Sequence, residues 1–248
     1  MNTVSFDFTG SNVLVTGGTR GIGHAIATGF AKAGADVIVT GTRSSAEDYD
    51  DDLHAFGYRQ CRIQEPESVD ALAASLGELD ILINNAGGLY PAGDEYKPDG
   101  YAASVQQNLL GPMRLTMRCH ERLKSSEVPG GASVVNIVSM SAFRSAVFVP
   151  GYASSKSGLL ALTMNLARRW ADDGIRVNAI APGMIDTRMT APALNIKQIM
   201  DVEIGFHTPL KRPGTPQDCV GTVLFLCTDA ASYITGTTVA VDGGYLTV

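Results

Sequence analysis

The chain has 248 residues, 45% hydrophobic and 18% charged, the make-up of a soluble globular protein with a sizeable core and length enough for one large α/β domain. Its 19 basic and 25 acidic side chains leave a net charge of −6, which argues against a nucleic-acid surface, because phosphate binding needs clustered excess cation. Four cysteines (Cys61, Cys119, Cys219 and Cys227) show neither CxxC pairing nor a histidine at ligand spacing, so reduced structural thiols are expected and a bound metal is not.

Short apolar runs, rich in Val and Ile and bounded by Gly, Asn or Asp, predict buried strands at residues 13–16, 36–40, 79–84, 133–138, 176–181 and 238–241. Residues 58–63 read as a weaker strand, interrupted by Arg59 and Arg62. Helical periodicity lies between them, at residues 22–33, 101–123 and 152–172. Strand–helix alternation implies right-handed crossovers and a parallel sheet covered on both faces. The expected fold is therefore α/β, a doubly wound Rossmann-type single domain over residues 1–248 with a central, mostly parallel seven-stranded sheet. The irregular stretch 184–216 carries four prolines and is expected to be a lid over the carboxyl ends of the strands. No stretch reaches the ~20 apolar residues of a membrane span, and the N-terminus lacks a basic and an apolar leader region. A cytoplasmic location is expected.

Thr16-Gly17-Gly18-Thr19-Arg20-Gly21-Ile22-Gly23 follows the first strand and opens the first helix. Gly17 lets the chain turn sharply, and Gly21 and Gly23 admit close backbone approach. The helix end then offers free N–H groups to a pyrophosphate. Tyr152 and Lys156 stand at i and i+4 on a predicted helix and share a face. A phenol with an unperturbed pKa of ~10 becomes a usable acid–base group when cations lie close by. Ser139, at the end of a strand, can donate to a developing alkoxide. Ser141 is its rival; Ser154 and Ser155 read as ordinary helix-surface residues, the four histidines as scattered, and Trp170 as packing in the core or against another subunit.

Together with Asn84-Asn85-Ala86-Gly87, Asn108, Pro182-Gly183, Thr187 and Asp242-Gly243-Gly244, these residues resemble the short-chain dehydrogenase/reductase family over essentially the whole chain. The 3-oxoacyl acyl-carrier-protein reductase type is the most similar. The resemblance implies that Tyr152 is the general acid/base, that Ser139 orients the carbonyl, and that Lys156 lowers the phenol pKa and holds the nicotinamide ribose. Asn108 would position a water linking Lys156 to solvent. Gly17, Thr19, Arg20, Gly21, Ile22 and Gly23 would hold the cofactor, with Asn85, Ala86 and Gly87 at the adenosine-side ribose. Pro182, Gly183, Ile185 and Thr187 would serve its nicotinamide end.

Where an NAD-preferring fold places an acid at the end of the second strand, this chain has Gly41. Arg20, Thr42 and Arg43, with Arg62 where the family usually recognises adenine, could clamp a 2′-phosphate. NADP is thus favoured, with NAD the alternative. The acidic run Glu47, Asp48, Asp50, Asp51 and Asp52 is expected to be a solvated turn or helix start. The expected reaction is hydride transfer between nicotinamide and a ketone or secondary alcohol, foremost a 3-oxoacyl thioester. The alternatives are another small substrate (sugar, polyol, steroid or cyclic ketone) and a non-catalytic dinucleotide-binding regulator. Surplus apolar positions on the helix holding Tyr152, with the family's habit, imply a homotetramer.

Overall fold

The computed structural model describes residues 4–89 and 94–248; residues 1–3 of the N-terminal stretch read above lie outside them. A seven-stranded, wholly parallel sheet runs through the molecule: β1 (Asn12–Val15), β2 (Asp36–Gly41), β3 (Gly57–Gln60), β4 (Ile81–Asn84), β5 (Ala132–Ile137), β6 (Ile175–Pro182) and β7 (Thr238–Val241). Their spatial order is β3-β2-β1-β4-β5-β6-β7. Every residue of β4, β5 and β6 is buried, as central strands covered on both faces require. The edges are β3 and β7, and they are the least buried. This accounts for Arg59 within a strand: an edge position leaves a long cation free to reach solvent.

Helices α1 (Gly21–Lys32) and, late in the chain, α8 (Pro216–Cys227) cover one face, where Ile26, Phe30 and Val223 pack on Val15, Val39 and Ile83. The other face carries α2 (Pro66–Ser75), α4 (Gly111–Lys124) and α5 (Pro150–Arg169), with Leu72, Leu115, Leu166 and Trp170 against Leu14, Leu82 and Val134. Trp170 is a core residue, 2% exposed.

The single helix predicted over residues 101–123 is three pieces. Helix α3 (Pro98–Val105) leads into a π-helical turn, Gln106–Leu110, before α4. A side chain at Gly111 would stand 2.1 Å from the Ile63 carbonyl oxygen, so that residue has to be glycine. The 184–216 stretch contains only short helices, α6 (Ala191–Leu194) and α7 (Lys197–Ile199), and a second π-helical segment, Met200–Phe206.

The sheet order reverses between β1 and β4. In an open α/β sheet that switch point, beyond the carboxyl ends of the strands, is where a crevice for a ligand forms.

Candidate active site

The crevice is built from the two loops that part at the switch point. Gly17, at φ 63°, begins the loop after β1, and a side chain there would stand 3.0 Å from the Ala86 Cα. Thr16 Oγ1 donates to the Ile83 carbonyl and accepts from the N–H groups of Asn85 (3.0 Å) and Ala86 (2.9 Å). Asn85 Nδ2 donates to the carbonyls of Thr16 (2.9 Å) and Gly17 (3.0 Å). A Cβ on Gly23 would meet that amide at 2.4 Å. The glycine loop is therefore shaped by Asn85 before any ligand arrives.

Gly17, Thr19, Arg20, Gly41, Thr42, Arg43, Asn85, Ala86 and Gly87 line one cleft of about 350 Å³. No side chain caps the start of α1, where Arg20 is extended, and this leaves the helix N–H groups open to an anion. A narrow cleft with a glycine floor, an open helix N-terminus and two arginines fits a phosphorylated dinucleotide. Ile22 and Gly23 lie in the first turn of α1. Thr187, in the loop after β6, reaches this loop, its Cγ2 3.5 Å from where a Gly21 side chain would start. Pro182 ends β6, Gly183 donates from its N–H to the Val241 carbonyl (3.0 Å), and Ile185 is buried.

One expectation at the adenosine end changes. Arg62 is not among the lining residues, although Cys61 and Ile63 are. Its guanidinium pairs with Glu65 at 3.9 Å on the surface, so in this conformation it does not line the cleft. The acidic run is exposed throughout, as expected, and Asp50 and Asp51 also line the cleft. Sequence reading missed Tyr49. A side chain at Gly41 would meet the Tyr49 hydroxyl at 2.3 Å. That hydroxyl accepts from the Arg43 N–H (2.8 Å), and the Arg43 guanidinium lies 4.9 Å from the ring centroid. Tyr49 fills the place of an NAD-type acid and aims Arg43.

The chemistry-bearing side chains gather at the ends of β5 and α5. Lys156 Nζ donates to the Ile137 carbonyl at 2.8 Å and lies 5.5 Å from the Tyr152 ring centroid. The Ser139 side chain lies near enough to the Tyr152 phenol to favour its ionised form. Ser141 donates to Ser139 Oγ from both its N–H (3.2 Å) and its hydroxyl (2.9 Å). With its oxygen accepting twice, Ser139 keeps its own proton for the phenol or a substrate oxygen. Asn108 is buried in the π-helical turn. Its Oδ1 accepts from Gly88 N–H (2.8 Å), and its Nδ2 donates to the carbonyls of Gly88 and Ser104 (2.9 Å each). Ser155 is buried, not on the surface, and donates to the Gly151 carbonyl.

Burial governs both titrating groups. It lowers the Lys156 ammonium to about 8. It also raises the Tyr152 phenol, against the effect of Ser139, and the Glu95 charge raises it further. In the chain alone the phenol is thus raised; the expected lowering calls on the oxidised nicotinamide together with Lys156, two cations close by. A larger cavity of about 480 Å³ lies between Met184, Leu210 and Gly243 and holds none of Ser139, Tyr152 or Lys156. Among the described residues no group of His, Cys, Asp and Glu is arranged to hold a metal, and all four cysteines are buried and free. Among the described residues no helix is long and apolar enough to cross a membrane.

A family model described as Enoyl-(Acyl carrier protein) reductase matches residues 17–246. The chain belongs to the short-chain dehydrogenase/reductase family. Among relatives in that family, a 2-dehydro-3-deoxy-D-gluconate 5-dehydrogenase of Pseudoalteromonas atlantica is 34% identical, over 97% of this chain and 98% of its own. A protein of the same name from Bacillus subtilis is also 34% identical, over 98% and 97%. A gluconate 5-dehydrogenase structure from Burkholderia cenocepacia, in complex with NADP and tartrate, superposes with a TM-score of 0.87 at 27% identity and covers 98% of both chains. This short-chain dehydrogenase/reductase is an NAD(P)-dependent oxidoreductase acting on CH–OH groups.

Proposed function

We propose that the protein interconverts the secondary alcohol and the ketone of a small sugar acid, of the 2-dehydro-3-deoxy-gluconate kind. The end-to-end similarity to enzymes of that name carries the reading. It is supported by tartrate, a hydroxy acid, in a related structure. It is also supported by Arg144, an exposed cation five residues after Ser139. Its guanidinium donates to the Tyr245 carbonyl (3.2 Å) and stacks on the Tyr245 ring; it is available to a substrate carboxylate. The 3-oxoacyl thioester that the resemblance put first becomes the second reading, kept for one reason: Val147 and Phe148, on the same loop, are 58% and 91% exposed and suit an acyl chain.

In this reading Gly17, Thr19, Arg20, Gly21, Ile22, Gly23, Thr42 and Arg43 hold the phosphorylated end of NADP, Asn85, Ala86 and Gly87 the adjoining ribose, and Pro182, Gly183, Ile185 and Thr187 the nicotinamide end. When bound, the cofactor gives or takes the hydride and adds a positive charge in its oxidised form. Tyr152 passes the proton to or from the substrate oxygen, and Ser139 donates a hydrogen bond to that oxygen as its charge develops. Lys156 supplies the nearby cation, and Asn108 fixes the Gly88 backbone beside it. The 184–216 stretch closes over the substrate. Exposed Leu110, Met117 and Met164 on α4, α5 and the π-helical turn support a homotetramer packed on those helices.

The test is turnover of NADP⁺ with 2-dehydro-3-deoxy-D-gluconate and gluconate, and of NADPH with a short 3-oxoacyl thioester and a cyclic ketone. Sugar-acid turnover that Tyr152→Phe cuts by ~10²–10⁴, with NADP binding kept, is the expected result. Turnover of the thioester alone would reverse the order of the two readings. If wild type and Tyr152→Phe bind NADP equally and both are inert, the non-catalytic regulator gains.

A further inference from the structure

Glu95 precedes α3 and belongs to none of the motifs, yet it is only 4% exposed. Its Oε2 accepts from the backbone N–H of Tyr152 at 2.9 Å, across 57 residues. A side chain at Gly151 would stand 3.2 Å from the same oxygen, so glycine there lets the carboxylate reach the first turn of α5. That turn has no local cap: Val149 supplies none, and Pro150 is its first residue. An uncapped helix start leaves N–H groups unpaired and a positive dipole end exposed, and a carboxylate answers both. The residue it caps is the one that bears the phenol.

Among the described residues two charged groups act on that phenol. Lys156 comes from its own helix and Glu95 from the segment before α3. The β5–α5 loop adds the hydroxyls of Ser139 and Ser141, and the π-helical turn the neutral Asn108. A buried anion beside a phenol disfavours phenolate, because two negative charges are then close in a poorly screened place. That favours the proton-donating form needed to reduce a ketone and delays the basic form needed to oxidise an alcohol.

We propose that Glu95 is a positioning residue for the reaction: its carboxylate caps α5 at Tyr152, and its charge holds the phenol in the proton-donating form. The proposal rests on Tyr152 being the acid–base group. The phenol is therefore observed directly, by the ultraviolet absorbance of tyrosinate in the full chain saturated with NADP⁺, as a difference from Tyr152→Phe.

Glu95→Gln keeps an acceptor and removes the charge. It is expected to lower the Tyr152 titration midpoint by on the order of one pH unit, about a tenfold rise in phenolate at fixed pH. Glu95→Ala removes the cap as well and is expected to speed amide hydrogen exchange in the first turn of α5, which Glu95→Gln leaves slow. Glu95→Asp keeps the charge but shortens the reach. It is expected to speed that exchange while holding the midpoint near wild type, and it serves if either other variant does not fold. A midpoint unmoved in Glu95→Gln, or exchange unmoved in Glu95→Ala and Glu95→Asp, overturns the proposal. If no Tyr152-dependent step is seen in wild type, the acid–base reading of Tyr152 fails and takes the charge role of Glu95 with it.

Discussion

Arg188 and Asp50 stand 138 positions apart in the chain, and the guanidinium donates to the carboxylate at 2.6 Å. Arg188 follows β6 and Asp50 follows β2, and both line the dinucleotide cleft. The pair ties the start of the 184–216 stretch to the adenosine end of the cleft. Both side chains are more than half exposed, so water screens the bridge and a cofactor phosphate can compete for the arginine. Asp50→Asn removes a negative charge from the cleft and releases Arg188. The Michaelis constant for NADPH is expected to fall several-fold at low ionic strength, and the gain should fade as salt rises. A constant unmoved at low salt would show that Arg188 never leaves Asp50 for the cofactor.

Cofactor preference turns on Gly41 and Tyr49. An acid at the end of β2 is the usual device for binding an unphosphorylated ribose, which makes Gly41→Asp the obvious change toward NAD. The Tyr49 hydroxyl already occupies the space where that side chain would begin. Gly41→Asp alone is expected to lower the melting temperature and weaken both cofactors. Gly41→Asp with Tyr49→Ala is expected to bind NADH better than NADPH, because the space is cleared and the Arg43 guanidinium loses the ring it rests on. Dissociation constants for the two cofactors, measured for both variants, decide it.

The parts of this site legible in the sequence are those that depend on local geometry. Gly17, Gly21 and Gly23 announce a turn into a helix, and Tyr152 and Lys156 share a face because four residues make about one turn. The strands were legible because β1, β4, β5 and β6 are buried runs, while β3 was faint because edge strands tolerate charge. What stayed hidden depends on residues that meet only in three dimensions. Glu95 reads as one acid among many until α3 and α5 pack. The chain of buried side-chain hydrogen bonds Thr116–Asn84–Asn136–Thr163, joining β4 and β5 to α4 and α5, has no spacing signal at all. Nor does the π-helical turn around Asn108, since a widened turn leaves the apolar period nearly intact.

Ser139 and Ser141 are separable by their hydrogen bonds. Ser141 spends its N–H and hydroxyl on Ser139 and so orients it without touching the phenol. Ser139→Ala removes the donor to the developing oxyanion, and kcat/KM is expected to fall by ~10²–10³. Ser141→Ala leaves that donor in place but free to turn, so a loss of under about tenfold is expected, within the cost of one neutral hydrogen bond. Equal losses in the two variants would mean that Ser141 contacts the substrate itself.

Lys156 makes stability depend on pH in a direction that can be worked out. Burial lowers its folded-state value to about 8, whereas an unfolded lysine titrates near ~10.4. Between those two values the unfolded chain binds more protons, so stability rises with pH across that window. Below about 8 the folded chain bears the full cost of a charged, desolvated ammonium, which the difference in the two values puts at about 3 kcal/mol. Above about 10.4 the unfolded lysine is neutral too, and that cost is gone. Lys156→Met has no such group. Relative to this variant, wild type is therefore expected to gain up to about 3 kcal/mol between pH 8 and 10.4, whatever constant penalty the variant carries for leaving the Ile137 carbonyl without its partner. Urea unfolding of both proteins without cofactor, at intervals across that range, measures the slope. A wild-type curve parallel to that of the variant would mean that the ammonium is better solvated than its burial implies.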